Sequence, residues 1–108
     1  MAENGSILVV GSINTDMVVR AGRLPGPGET VLGHGFTTTP GGKGANQAAA
    51  VARLGGNCTL IGRLGTDTFG RTIRSALIAE GINCQGITLT DKIATGVALI
   101  TVDAAGEN

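Results

Sequence analysis

Short apolar runs separated by glycine-rich polar stretches set the plan of this chain. Ile7-Leu8-Val9-Val10 is a continuous apolar run ending at Gly11, which predicts a strand buried on both faces of a parallel sheet. Met17-Val18-Val19 predicts a second short strand, and Leu24-Pro25-Gly26-Pro27-Gly28 excludes helix and demands an exposed turn. Thr30-Val31-Leu32 and Phe36-Thr37-Thr38-Thr39 flank Gly33-His34-Gly35 and predict a hairpin with His34 as a solvated turn residue. An alanine-rich helix is predicted from Gly44 to Leu54, stopped by Gly55. Cys58-Thr59-Leu60-Ile61 predicts the next buried strand. Thr66 or Asp67 then caps a second helix, in which Phe69, Ile73 and Leu77, with Ala76 and Glu80, keep helical spacing up to Gly81 and leave Arg71 and Arg74 outward. Gln85 to Leu89 is β-prone, Asp91-Lys92 is a turn, Gly96 to Val102 is a β-branched apolar strand, and Asp103 to Asn108 reads as a hairpin turn.

The order of elements is α/β, but several short strands stand between the first buried strand and the first helix, where a plain alternating sheet has none. A last strand and turn with no strand after them predict a chain that stops inside a sheet. The 108 residues suit one small domain. With 19 glycines, two phenylalanines and no tryptophan or tyrosine, its core must come from Val, Ile, Leu and Ala. Eight basic and eight acidic residues are interspersed and cancel, which gives no electrostatic footprint for nucleic acid or anionic lipid. Cys58 and Cys84 lack metal-type spacing and no secretory signal precedes them, so free thiols in a reducing cytoplasm are expected. The apolar run near Ile93 to Ile100 is far short of the roughly 20 residues of a membrane helix, so a soluble intracellular protein is expected.

Two stretches carry candidate chemistry. In Thr39-Pro40-Gly41-Gly42-Lys43-Gly44-Ala45-Asn46, glycines let a ligand approach main-chain N–H groups at a helix start, where those donors lack partners and the dipole favours oxygen-rich or anionic groups. Lys43 adds a mobile cation, and an inward-pointing Asn46 adds an amide donor and acceptor. The plainer reading is a turn that only starts the helix. A Walker A loop is excluded because Lys43 is followed by Gly44 and Thr37 stands at the first glycine position. A dinucleotide fingerprint beginning at Gly42 is excluded because Gln47 stands where its last glycine should be. Upstream, Ser12, Asn14 and Asp16 recur at a spacing of two, which in an extended chain puts them on one face just past the first strand's carboxyl end. They suit either a site that accepts from sugar hydroxyls or an Asx turn.

The glycine-lysine loop resembles the first signature of the ribokinase-like family of sugar and nucleoside kinases. The resemblance continues through Arg53-Leu54-Gly55-Gly56 and Gly62-Arg63-Leu64-Gly65-Thr66-Asp67. It also takes in Val10-Gly11-Ser12-Ile13-Asn14-Thr15-Asp16 and Leu24-Pro25-Gly26-Pro27-Gly28-Glu29-Thr30, so that all 108 residues are covered. It implies a partial Rossmann-like sheet with helices plus a small lid sheet, with residues 1–108 as the amino-terminal portion of the domain and lid strands at about 14–40 and 85–100. It implies transfer of the γ-phosphoryl of ATP to the 5-hydroxyl of D-ribose, with Mg²⁺ and a monovalent cation such as K⁺, and a homodimer joined through lid strands. Residue by residue, it implies that Asn14 and Asp16 hold sugar hydroxyls, that Gly42 and Lys43 contribute from the loop, that Asn46 holds a further hydroxyl, and that Ala98 and Ile100 pack against the sugar. Of the acids Asp16, Glu29 and Asp103 near such a site, Asp16 is expected to clamp substrate rather than act as base. The family's Gly-Ala-Gly-Asp loop, its Mg²⁺-associated acidic motif and its nucleotide pocket do not occur here. No catalytic, cofactor-binding or metal residue is therefore expected in this chain, and it should be inactive alone. Kinases of fructose, ketodeoxygluconate or adenosine are the near alternatives, less well matched by Gly-Gly-Lys-Gly-Ala-Asn, and a non-catalytic sugar-binding or dimerising fragment is the distant one.

Overall fold

Six strands and two helices follow one another in the computed structural model, which describes residues 5–108. In chain order they are β1 (Ser6–Val10), β2 (Asn14–Arg20), β3 (His34–Gly41), α1 (Lys43–Arg53), β4 (Asn57–Gly65), α2 (Thr68–Ala79), β5 (Ile87–Thr90) and β6 (Gly96–Val102). The strands form two sheets. The first is wholly parallel in the order β1-β4-β5; the second has the order β3-β2-β6, with β3 antiparallel and β6 parallel to β2.

The core lies between the first sheet and the helices. Leu60, Leu64 and Leu77 are essentially sealed, joined by Val9, Cys58, Ile73, Ile82, Cys84 and Ile87, with Ala45 and Ala48 as the buried stripe of α1. Small side chains on that stripe let α1 sit close on β1 and β4. Apolar burial of this kind supplies most of the drive to fold, at roughly 25 cal/mol per Å². Both cysteines are free and buried, and burial pushes the Cys58 thiol up. Among the described residues, no helix is long and apolar enough to cross a membrane.

Several local expectations change. Strand β1 is buried on one side only: Val9 faces the core while Ile7, Leu8 and Val10 are exposed, because β1 is an edge strand whose helices all lie on the Val9 side. The hairpin between Thr30 and Thr39 is absent. Instead β3 pairs with β2, from Asn14 opposite Gly41 to Arg20 opposite His34, and residues 21–33 form the connection. An exposed clamp organises that connection, with Arg23 donating to Glu29 and the Gly26 N–H donating to the same carboxylate at 2.9 Å. His34 therefore begins a strand rather than tipping a turn, though it is exposed as expected. Strand β4 runs on to Gly65, and of residues 85–100 only the part from Gly96 lies in the second sheet, since β5 pairs with β4.

Candidate functional site

The start of α1 is built by backbone meeting backbone. Gly42 is the N-cap at φ 93°, a left-handed conformation that disfavours any side chain, and an added Cβ would lie 2.6 Å from the Ser12 carbonyl oxygen. A Cβ on Gly44 would lie 2.6 Å from the Gly11 carbonyl carbon, and one on Gly11 would lie 2.8 Å from the Gly44 Cα. This close approach brings the helix start against the β1–β2 link. There Ser12 caps it: the Lys43 N–H donates to Ser12 Oγ at 3.1 Å and the Ala45 N–H to the Ser12 carbonyl at 3.1 Å. Two first-turn donors that the sequence left free for a ligand are thus already paired. Ser12 itself precedes β2 and is not on the strand face with Asn14 and Asp16.

Asn14 and Asp16 do share a face of β2, half-buried at the middle of the second sheet. The register puts Asn14 between Gly41 and Gly96, and Asp16 between Thr39 and Ala98. Both neighbouring glycines make room for these side chains. A Cβ on Gly96 would come within 2.7 Å of Asn14 Oδ1, and one on Gly41 would fall inside the Asp16 carboxylate. Ala98 and Ile100, in register with Asp16 and Val18, continue the same face on β6 and are half-buried. Together these residues form a shallow polar floor with an apolar flank.

Lys43 opens α1 and is exposed. Asn46, one turn further on, is exposed rather than inward-pointing, since the buried stripe of α1 falls on Gly44, Ala45 and Ala48. It lines a cleft of about 430 Å³ between α1, α2 and the end of β3, whose far wall carries Arg53 and Glu80. Those two are ion-paired, which holds the Glu80 carboxyl below its usual range. A carboxylate that only accepts, two amides that do both and an ammonium that only donates are groups suited to a polyhydroxyl ligand. Of the three expected acids, Glu29 is committed to Arg23 and Asp103 to the N–H groups of Ala105 and Glu107, while Asp16 stands on the β2 face beside Asn14.

A strap invisible in the sequence pattern fixes the start of β6. Asp67, the N-cap of α2, accepts from the Gly70 N–H at 2.8 Å, the Thr95 N–H at 2.9 Å and the Thr95 hydroxyl at 2.7 Å. The buried Thr95 hydroxyl in turn accepts from the Gly65 N–H at 3.0 Å. These hydrogen bonds, the Thr95 N–H foremost, hold the Asp67 carboxyl below its ordinary range. The strap joins the two sheets immediately before Gly96. Its only sequence signal is the cap residue, because its partner lies 28 positions away.

Comparison with known proteins follows the same outline. The profile of the pfkB family carbohydrate kinase matches residues 4–108. The ribokinase of Schizosaccharomyces pombe is 44% identical over 109 residues, covering 95% of this chain and 34% of its own length. The structure of Arabidopsis thaliana ribokinase complexed with ribose and ATP superposes with a TM-score of 0.84 at 37% identity, over 98% of this chain and 35% of that one. Ribokinase from Cryptococcus neoformans, in complex with ADP, gives 0.83 at 39%, over 98% of this chain and 33% of that one. The chain spans about one third of the length of the curated relatives it matches.

Proposed function

The chain belongs to the pfkB family of carbohydrate kinases, and on that footing we propose that it supplies the sugar-holding part of an enzyme that phosphorylates D-ribose at the 5-hydroxyl with ATP. The observation that carries this reading is the face of β2, where Gly41 and Gly96 clear space for the carboxylate of Asp16 and the amide of Asn14. In the proposed site those two groups hold ribose hydroxyls and Ala98 and Ile100 flank the ring. Gly42 permits close approach, Lys43 donates from the helix start, and Asn46 holds a further hydroxyl from the next turn.

The residues present do not fit the nucleotide. The N–H groups of Lys43 and Ala45 are spent on Ser12, so the loop does not cradle a polyphosphate. Among the described residues, no group of three or more His, Cys, Asp or Glu gathers as metal ligands. In this reading ATP, Mg²⁺ and the monovalent cation belong to the intact enzyme, and this chain's share is binding and orienting the sugar. A homodimer through the second sheet belongs to the same proposal, supported by the exposed Phe36 on β3 and Leu99 on β6, as does a cytoplasmic location. A phosphotransfer assay on the intact enzyme with D-ribose, fructose and adenosine tests the reading. Preference for D-ribose is expected; preference for another substrate would reassign it within the family, and no transfer to any of them would overturn it.

A further inference from the structure

Thr95 is held from three directions. Its N–H and its hydroxyl both donate to the Asp67 carboxylate, at 2.9 and 2.7 Å, and the same hydroxyl accepts from the Gly65 N–H at 3.0 Å. Thr95 is buried, so removing its hydroxyl leaves the Gly65 N–H without a partner rather than returning it to water. Glycines make the junction possible: a Cβ on Gly65 would lie 2.8 Å from the Thr95 nitrogen, and one on Gly70 would lie 2.8 Å from the Thr95 hydroxyl oxygen. Capping α2 needs only the bond that Asp67 accepts from the Gly70 N–H. The two bonds from Thr95 are additional to that task.

The residue after Thr95 gives them a use. Gly96 opens β6 directly opposite Asn14, and a Cβ there would lie 2.7 Å from Asn14 Oδ1, so the amide rests on bare Gly96 backbone. Strand ends fray unless they are tied, and here the tie falls one residue before the contact. We propose that Asp67 and Thr95 are positioning residues for the sugar: through Gly96 they fix the floor beneath the Asn14 amide, and with it the direction in which that amide meets a ribose hydroxyl. The inference rests on the sugar-holding role proposed for Asn14.

Isothermal titration of D-ribose, and separately of ATP, into the intact enzyme tests it. Thr95→Val keeps the side chain's shape and removes the hydroxyl. Its ribose Kd should rise about fivefold, the scale of one net hydrogen bond, with the ATP Kd unchanged, and Thr95→Ser should bind as wild type does. The effect should pass through Asn14, so that adding Thr95→Val to Asn14→Ala costs no further ribose affinity. Unchanged ribose affinity with only a lowered Tm, or a loss that adds in full to that of Asn14→Ala, would overturn the proposal. Should Thr95→Val fail to fold, Asp67→Ser keeps a capping oxygen for α2 while releasing Thr95. It should weaken ribose binding in the same way, and unchanged affinity there would also overturn the proposal. Asn14→Ala separates the two readings: if it leaves ribose affinity intact, the role of Asn14 fails and this inference with it, whereas a loss there without one in Thr95→Val sinks the positioning role alone.

Discussion

The two sheets are unequal partners. The first, together with the helices packed on it, holds nearly all the buried apolar side chains, with β4 running through its middle and both helices on one face. The second buries little beyond Thr15 and leaves its β2 face half-open, yet it carries Asn14, Asp16, Ala98 and Ile100. One sheet is held by packing and the other by its joints to the first: the glycine contacts at α1 and the Asp67–Thr95 strap. In the proposed reading, stability and ligand chemistry are thereby separated, as expected where a rigid scaffold carries a more open binding surface.

The largest effect should come from the packed sheet. Leu60→Ala removes a side chain with 0% exposure, and urea unfolding should show a loss of about 2–5 kcal/mol. Leu99→Ala on the second sheet, where the side chain is 81% exposed, should change stability by no more than about 0.5 kcal/mol, and comparable losses at both would erase the contrast. Gly41→Ala sharpens it from the other side. The new Cβ must push the Asp16 carboxylate away, so ribose affinity should fall by on the order of tenfold or more, the scale of a hydrogen bond to a charged group, while Tm moves little. A variant that binds normally would show that Asp16 has no fixed place. Lys43→Met should weaken ribose binding by a smaller factor and leave ATP affinity in the free enzyme unchanged. Selective loss of ATP affinity would return the loop to a phosphate-binding role.

The smallest effect concerns pH. Asp67 is held below its unfolded value of about 3.9, so its contribution is present above that pH and is lost as pH falls through the lower folded value. Asp67→Asn does not titrate. The stability gap between wild type and Asp67→Asn should therefore narrow on acidification below about pH 4, and a constant gap would show that the strap does not depend on charge.

Much of this was legible in the sequence, because local chemistry and period-two or helical spacing decide it. The helix from the glycine-lysine loop, the cap at Asp67, the stops at Gly55 and Gly81 and the shared face of Asn14 and Asp16 all follow from residues close together in the chain. What was not legible depends on distant partners. The β-prone Thr30-Val31-Leu32 forms no strand, and the Phe36–Thr39 stretch expected to pair with it pairs with β2 instead. An apolar run such as Ile7–Val10 reads the same whether one face or two are covered. Asn46 turns outward because Gly44, Ala45 and Ala48 claim the buried stripe of its helix, and the roles of Gly41 and Gly96 appear only once β2 is seen between β3 and β6.

In the proposed reading the second sheet, through Asp16, holds the sugar and not the nucleotide. Isothermal titration of D-ribose, and separately of ATP, into intact wild-type enzyme and its Asp16→Ala variant tests it most directly. The variant should lose ribose affinity by on the order of tenfold or more, with ATP affinity retained. Equal losses for both ligands, or undiminished ribose binding, would contradict it.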